Sequence, residues 1–465
     1  MELNLIQVSQ LEIKDFLGKT ARCECGKNHS VDMDTVIIEK GAIGQTGTLL
    51  EKLGYKKALL VADSHTYAIA GQQVEAILEK EQFIYKSFVF PVTEDLVPDE
   101  AAVGRLLIEV ERDTDVIVAV GSGTLNDLTK FVSFQLGIDS IIVATAPSMD
   151  GFASTGAALI VGNLKTSYET ACPKAIIGDI GILQEAPMEM ILAGVGDIVG
   201  KYSALADWKI SSIINEEYYC EVIVKMVTDS VEKCIGNIEN IKNRDDTAIK
   251  NLMESLVLTG IAMSFAGNSR PASGSEHHLA HYWEMLFLFE GKKAVLHGTK
   301  VGIASGITTA LYEWLGKTEV DFDQAVSRAH SFSIQEWSKQ VNFYYRKAAP
   351  EILRLSRKDE RNSVPKRIQR IERARKKWSV ILKTIHEIPS AGEIGSLLNL
   401  AGAPIRPQAV GITAQSATDG ILMAKEVRSR YTILGLLSDL GLLDDFVRII
   451  QQTLHNGESG IKINK

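Results

Sequence analysis

The chain has 465 residues, 45% of them apolar and 23% charged, with a net charge of -8. That length can bury at least one large core and suits two domains, while the acidic balance argues against a nucleic-acid binder, which would carry a basic face. The opening MELNLIQVSQLEIKDF has neither the basic start nor the apolar run of a secretory signal, and no charge-free apolar run reaches the roughly 18 residues of a membrane span, so a cytoplasmic protein without membrane insertion is expected.

Five cysteines, an odd number scattered over a long chain, suit a reducing compartment better than a disulfide framework. Cys23 and Cys25 lie in CECGKNH with His29 four residues on, and two thiolates and an imidazole can begin a structural zinc site. A closed site needs four ligands, and no second CxxC or CxxH follows, so the segment is read as a turn.

From Thr35 the chain alternates short apolar runs with helix-period segments. Strands are predicted at Thr35–Ile38, Ala58–Ala62, Tyr85–Phe90, Val116–Val120 and Ser140–Thr145, and helices at Ile43–Leu53, Gln72–Glu81, Asp99–Glu111 and Leu125–Leu136. Such alternation predicts a mostly parallel sheet covered by helices, with ligands bound beyond the carboxyl ends of its strands.

Three strand ends carry polar chemistry. In DVIVAVGSGTLNDLTKF, Gly121, Ser122, Gly123, Thr124 and Leu125 link a strand to a helix N-terminus, a place for a pyrophosphate. Asp63 ends ALLVAD, where a carboxylate accepts from adenosine ribose hydroxyls and disfavours a 2′-phosphate, or else caps the next helix. In SIIVATAPSMDGFASTG, Thr145, Ser148, Asp150 and Ser154 crowd a loop of small residues; tight polar turns also satisfy their own backbone, and Asp150 is the residue singled out for function.

Strand signals fade after Ile177 and Asp179, and a largely helical region opens at Pro187. The predicted domains are 1–185, a Rossmann-like nucleotide-binding α/β domain, and 186–465, an all-helical metal- and substrate-binding domain. Met188–Trp208 reads as one helix with Asp197 and Lys201 a turn apart, for which an ordinary i,i+4 ion pair is the plain alternative. Glu217–Glu239, Asn251–Ala266 and Ala417–Asp439 read as further helices. Arg346–Lys377 reads as solvated helix faces broken at Pro365, and the terminal HNGESGIKINK is expected to fray.

The stretch Arg270–Gly302 holds four of the nine histidines. Ser273 and Glu276 fit an S-x-x-E capping box, which would run a helix from about Gly274 through Phe287. At about 100° per residue His277 and His281 share a face with an offset of about 40°, and His278 competes at about 60°. His297 follows an apolar run and precedes Gly298, a turn from which an imidazole can enter a cleft. With Asp197 it gives a two-histidine, one-carboxylate set, which binds a divalent metal and leaves positions open for Lewis-acid chemistry.

Five blocks in order, GSGTLNDLTKF, TAPSMDGFAS, GVGDIVGKYSALADW, RPASGSEHHLAHYWEM and VLHGTKVG, resemble the sn-glycerol-1-phosphate dehydrogenase branch of the iron-containing alcohol dehydrogenase, glycerol dehydrogenase and dehydroquinate synthase superfamily. The resemblance implies an active site in the cleft between the two domains. It implies one divalent metal (zinc, nickel or iron) on Asp197, His277 and His297, and substrate contacts from Asp150, Asp197 and His281. It also implies NAD, with NADP possible, held by Asp63, the Gly121–Leu125 turn, Thr145, Ser148 and Ser154. The implied reaction is NADH-dependent reduction of dihydroxyacetone phosphate, a phosphorylated triose, to glycerol 1-phosphate, with His281 passing the proton. The alternatives are a glycerol dehydrogenase acting on the unphosphorylated triol and a non-catalytic nucleotide-binding relative. A homo-oligomer is expected by the same resemblance. Among the basic residues near these motifs, which include Lys165, Lys201, Lys292, Lys293 and Lys300, Arg270 is the first choice for the substrate phosphate.

Overall fold

The computed structural model describes residues 2–162 and 164–456, so the end of HNGESGIKINK lies outside the described residues. The chain divides into two compact units, Met1–Ile198 with Glu221–Ser269, and Val199–Cys220 with Arg270–Lys465.

The first unit is built on β1 (Glu2–Leu3), β2 (Thr20–Cys23), β3 (Asn28–Ser30), β4 (Thr35–Glu39), β5 (Lys57–Asp63), β6 (Ile84–Phe90), β7 (Val116–Gly121), β8 (Asp139–Ala144), β9 (Gly156–Val161), β10 (Leu164–Glu169) and β11 (Ala175–Asp179). Six of them form one sheet in the order β4-β11-β8-β7-β5-β6, and every pairing in it is parallel. Parallel strands need helical crossovers, which cover both faces, and the residues show it. Leu60, Val118 and Val143 enter one buried cluster, while their neighbours Leu59, Val61 and Ile117 enter another. The strands therefore read as continuous apolar runs, which is why their positions were predictable.

Three strand features were not predicted, the first being the separate three-stranded sheet β1-β2-β3. β11 completes the sheet between β4 and β8, and β9 and β10 form an antiparallel hairpin. The hairpin's GAALIV is a short apolar run but its partner LKTSYE is mixed in polarity, and its faces are only partly buried. The helices Glu221–Ile235 and Asp246–Ala266 pack on each other within this unit, although their composition groups them with the helical half.

Every regular element among the second unit's described residues is a helix. The segment read as one helix over Met188–Trp208 is two, Met188–Val199 and Lys201–Asn215, separated at Gly200. Ser275–Glu290 packs against His297–Lys317. The break expected at Pro365 falls just before it, between Ala349–Asp359 and Val364–Lys376, and Pro365 lies in the first turn of the second helix, where its missing N–H costs nothing. The helix expected over Ala417–Asp439 is split into Ala414–Met423 and Ile433–Leu440. Among the described residues no helix is long and apolar enough to cross a membrane.

Candidate active site

In the first unit the carboxyl ends of three adjacent strands carry the residues singled out for the cofactor. β5 pairs with β7 and β7 with β8, placing Asp63, Gly121 and the residues after Ala144 along one edge. Gly121 is required there, because a Cβ would stand 2.4 Å from Leu125 Cδ1 and 2.9 Å from Leu125 Cβ. Ser122 is the N-cap of the helix Gly123–Leu136 but makes no side-chain cap bond. Its hydroxyl turns instead to Ala146 O and Ser148 Oγ. Thr124 and Leu125 lie in the helix's first turn, whose N–H groups can meet an anion. Asp63 Oδ1 accepts from the N–H groups of His65 and Thr66 at 2.9 and 2.8 Å, a helix cap.

Thr145, Ser148, Asp150 and Ser154 lie in the buried loop after β8. Thr145 N–H donates to Gly121 O, joining this loop to the glycine turn. Lys130, which the sequence reading did not single out, is fully buried and donates through Nζ to Gly151 O at 2.8 Å, Ser154 O at 3.0 Å and Ser154 Oγ at 3.2 Å. Burial pulls its ammonium pKa down, against the field of Asp127. Two helices approach the same loop closely because glycines face it. A Cβ on Gly194 would stand 1.9 Å from Pro147 O, and one on Gly260 2.9 Å from Ala153 N. Asp197, fully buried on the Gly194 helix, accepts from Asp150 N–H at 3.0 Å, so the two acidic residues named from sequence meet.

In the second unit three histidines converge. The ring centroids of His277 and His281 lie 5.1 Å from that of His297, and 6.2 Å from each other. His277 is the third residue of the helix Ser275–Glu290, and His297 begins the next helix rather than sitting in an open turn. Each histidine has a carboxylate at Nδ1. Glu276 Oε1 is 2.7 Å from His277 Nδ1, Glu284 Oε2 is 3.0 Å from His281 Nδ1, and Glu284 Oε1 is 2.7 Å from His297 Nδ1. A carboxylate takes an N–H there, so Nδ1 is protonated and Nε2 keeps its lone pair in all three rings. Burial, with the nearby Arg428 charge, holds the His281 pKa well below the usual histidine range, against Glu284.

His281, Glu284 and His297 also place donor atoms within 4.8 Å of one another. Hydrogen bonding to Glu284 accounts for that grouping, and the Lys300 ammonium 3.7 Å from Glu284 Oε1 supplies the neighbouring positive charge. His278, the competitor at sequence level, is fully buried and has neither ring nitrogen hydrogen-bonded.

Glu276 and Glu284 are the functional residues that pattern reading passed over. Glu276 was assigned to a capping box with Ser273; instead the N-cap is Gly274, and Glu276 accepts from Gly274 N–H, Ser203 Oγ and His277. Glu284 lies three residues after His281, an i,i+3 spacing that could have flagged it. Arg270, favoured for the substrate phosphate, is buried in a two-pronged pair with Glu217 at 2.7 and 2.5 Å and also donates to Tyr431 O and Ser211 Oγ.

Residues 37–187 match the family model described as iron-containing alcohol dehydrogenase. The chain is 32% identical to the glycerol-1-phosphate dehydrogenase [NAD(P)+] of Halalkalibacterium halodurans, over 92% of this chain and 98% of that protein. It is 36% identical to the Bacillus subtilis enzyme of the same name, over 63% of this chain and 75% of that one. The fold is that of a glycerol dehydrogenase from Schizosaccharomyces pombe, with a TM-score of 0.57 at 15% identity over 94% of this chain and 96% of that one. A probable glycerol dehydrogenase from Sinorhizobium meliloti gives 0.56 at 15% identity over 90% and 98%. With near-full-length likeness to the first of these relatives, the chain belongs to the glycerol-1-phosphate dehydrogenase family of iron-containing alcohol dehydrogenases.

Proposed function

We propose that the chain is a metal-dependent, NAD(H)-linked dehydrogenase that interconverts dihydroxyacetone phosphate and sn-glycerol 1-phosphate. The observation that carries this reading is the set of three histidines whose Nδ1 atoms are each held by a buried glutamate, leaving Nε2 to ligate or to move a proton. Asp197, His277 and His297, the ligands that the motif blocks imply, would hold a divalent metal: two neutral imidazoles and one carboxylate suit zinc, nickel or iron(II). When bound, the metal would polarise the ketone and the nicotinamide would supply hydride.

The chain's own residues do the rest. His281 Nε2 delivers or receives the proton at the C2 oxygen, while Glu284 holds Nδ1–H and steadies the ring as its charge changes. Asp150 positions the substrate, its backbone fixed by Asp197. The Gly121–Leu125 turn and its helix N-terminus hold the pyrophosphate. Asp63 takes the ribose, and Thr145, Ser148 and Ser154 line the nicotinamide end.

Arg428 and Arg430 are the residues we assign to the substrate phosphate. Both are half-buried in the segment between Ala414–Met423 and Ile433–Leu440. Burial, then the charges of Arg428 and Arg270, pushes the Arg430 pKa down to about 9. Arg428 acts electrostatically on His281 and Glu284. Closely spaced guanidinium groups under mutual strain are relieved by a dianion, and Arg270, tied to Glu217, remains structural. A homo-oligomer in the cytoplasm is part of the proposal, checked by sedimentation velocity and cell fractionation.

The test is NADH oxidation with dihydroxyacetone phosphate and with dihydroxyacetone. A kcat/KM at least tenfold higher for the phosphorylated ketone supports the reading; equal values would favour a glycerol dehydrogenase.

A further inference from the structure

The segment CECGKNH, read from sequence as a turn for want of ligands, carries a built donor set. β2 ends at Cys23 and β3 begins at Asn28, with a tight turn between them in which Gly26 N–H donates to Cys23 O and Cys23 N–H to Lys27 O. Gly26 has φ +85°, a conformation that favours glycine. Sγ of Cys23, Sγ of Cys25 and a ring nitrogen of His29 lie within 4.8 Å of one another.

His29 is poised as a ligand. Its Nδ1 is 2.9 Å from Phe265 O, which can only accept, so Nδ1 carries the proton and Nε2 the lone pair. The ring stacks on Phe265 at 5.4 Å and 15°. His29 Nε2 lies 3.4 Å from Cys25 Sγ. Metal distances of about 2.3 Å to sulfur and about 2.0 Å to nitrogen give a tetrahedral edge of about 3.5 Å, so this separation fits two ligands of one zinc. The sheet carrying them has strands of two, four and three residues, too short to be stable alone, and a metal cross-link is a common remedy.

We propose that Cys23, Cys25 and His29 supply three ligands of a structural zinc site that draws on none of the catalytic residues. Zinc held there pins the N-terminal hairpin to the end of the Asp246–Ala266 helix through the His29–Phe265 bond. The proposal does not depend on the substrate, because none of Asp197, His277 and His297 offers sulfur.

That difference supplies the test. Full-length protein expressed with zinc should contain about two metal equivalents per chain, and the cobalt-loaded protein should show near-ultraviolet thiolate-to-cobalt charge transfer, which the catalytic ligands cannot produce. Cys25→Ser should weaken that band about twofold, whereas Cys172→Ser should leave it intact. Absence of the band in the cobalt-loaded parent protein overturns the site, and so do a disulfide joining Cys23 and Cys25 in the mass spectrum and an undiminished band in Cys25→Ser. The parent spectrum decides even where a serine variant fails to fold.

Discussion

Replacing Glu284 by glutamine isolates the role assigned to the buried carboxylates. Glu284 accepts from two histidines at once, His281 at 3.0 Å and His297 at 2.7 Å, and is only 7% exposed. A glutamine offers one oxygen and one NH2 group, so one of the two Nδ1–H groups must face a donor. Either that imidazole loses its partner, or it changes tautomer and carries its proton on Nε2, where it can no longer ligate or accept. A charge-assisted hydrogen bond contributes about 1.5–3 kcal/mol, or roughly 10- to 150-fold at about 1.4 kcal/mol per decade. We therefore expect Glu284→Gln to lower kcat/KM for dihydroxyacetone phosphate, and the affinity for the activating metal, by at least tenfold. The assay is steady-state NADH oxidation across a series of metal–chelator buffers, with the variant's folding checked by circular dichroism. A folded variant within twofold of the parent on both measures refutes the reasoning.

Arg428→Ala should raise KM for dihydroxyacetone phosphate about 10- to 100-fold, the loss of one ionic hydrogen bond, and leave KM for NADH unchanged; Arg270→Ala should instead lower the melting temperature, since it removes a buried guanidinium and strands the half-buried Glu217. Gly194→Ala drives a Cβ to within 1.9 Å of Pro147 O and should cost about 1–3 kcal/mol or more in denaturant unfolding. Burial, then Glu276, pushes the Asp207 carboxyl up to about 6 from an ordinary 3.8. The folded state therefore holds that proton more tightly, so its contribution is full below about pH 4 and is lost as pH rises through about 6, a change of about 3 kcal/mol. Unfolding of Asp207→Asn alongside the parent should show the parent losing stability relative to the variant across that window; parallel curves would contradict the assignment.

The sheet was legible because its strands are buried on both faces and bounded by turns, so Ala58–Ala62 and Val116–Val120 needed only end corrections. The hairpin of β9 and β10 was not, since LKTSYE carries no apolar pattern and is held by pairing with GAALIV, a short run in a stretch otherwise read as loop. Asp150 and Asp197 were named from sequence and do meet. His277 prevails over His278 in the histidine cluster because its ring faces His297. The partners at Nδ1 were missed because a glutamate beside a histidine reads as an ordinary helix charge, and only folding shows that Glu276 and Glu284 are buried. Arg270 was overvalued for a related reason: its engagement with Glu217, 53 residues away, leaves no local pattern.

We propose that this chain reduces dihydroxyacetone phosphate with NADH and needs a metal that Asp197, His277 and His297 would hold. The most direct measurement strips the protein of metal, verifies depletion by elemental analysis, and follows NADH oxidation with dihydroxyacetone phosphate before and after adding back zinc, nickel or iron(II). Activity lost with the metal and restored by at least one of these ions, but not restored in His277→Ala, is the predicted result. Turnover that persists undiminished in the depleted protein would contradict it.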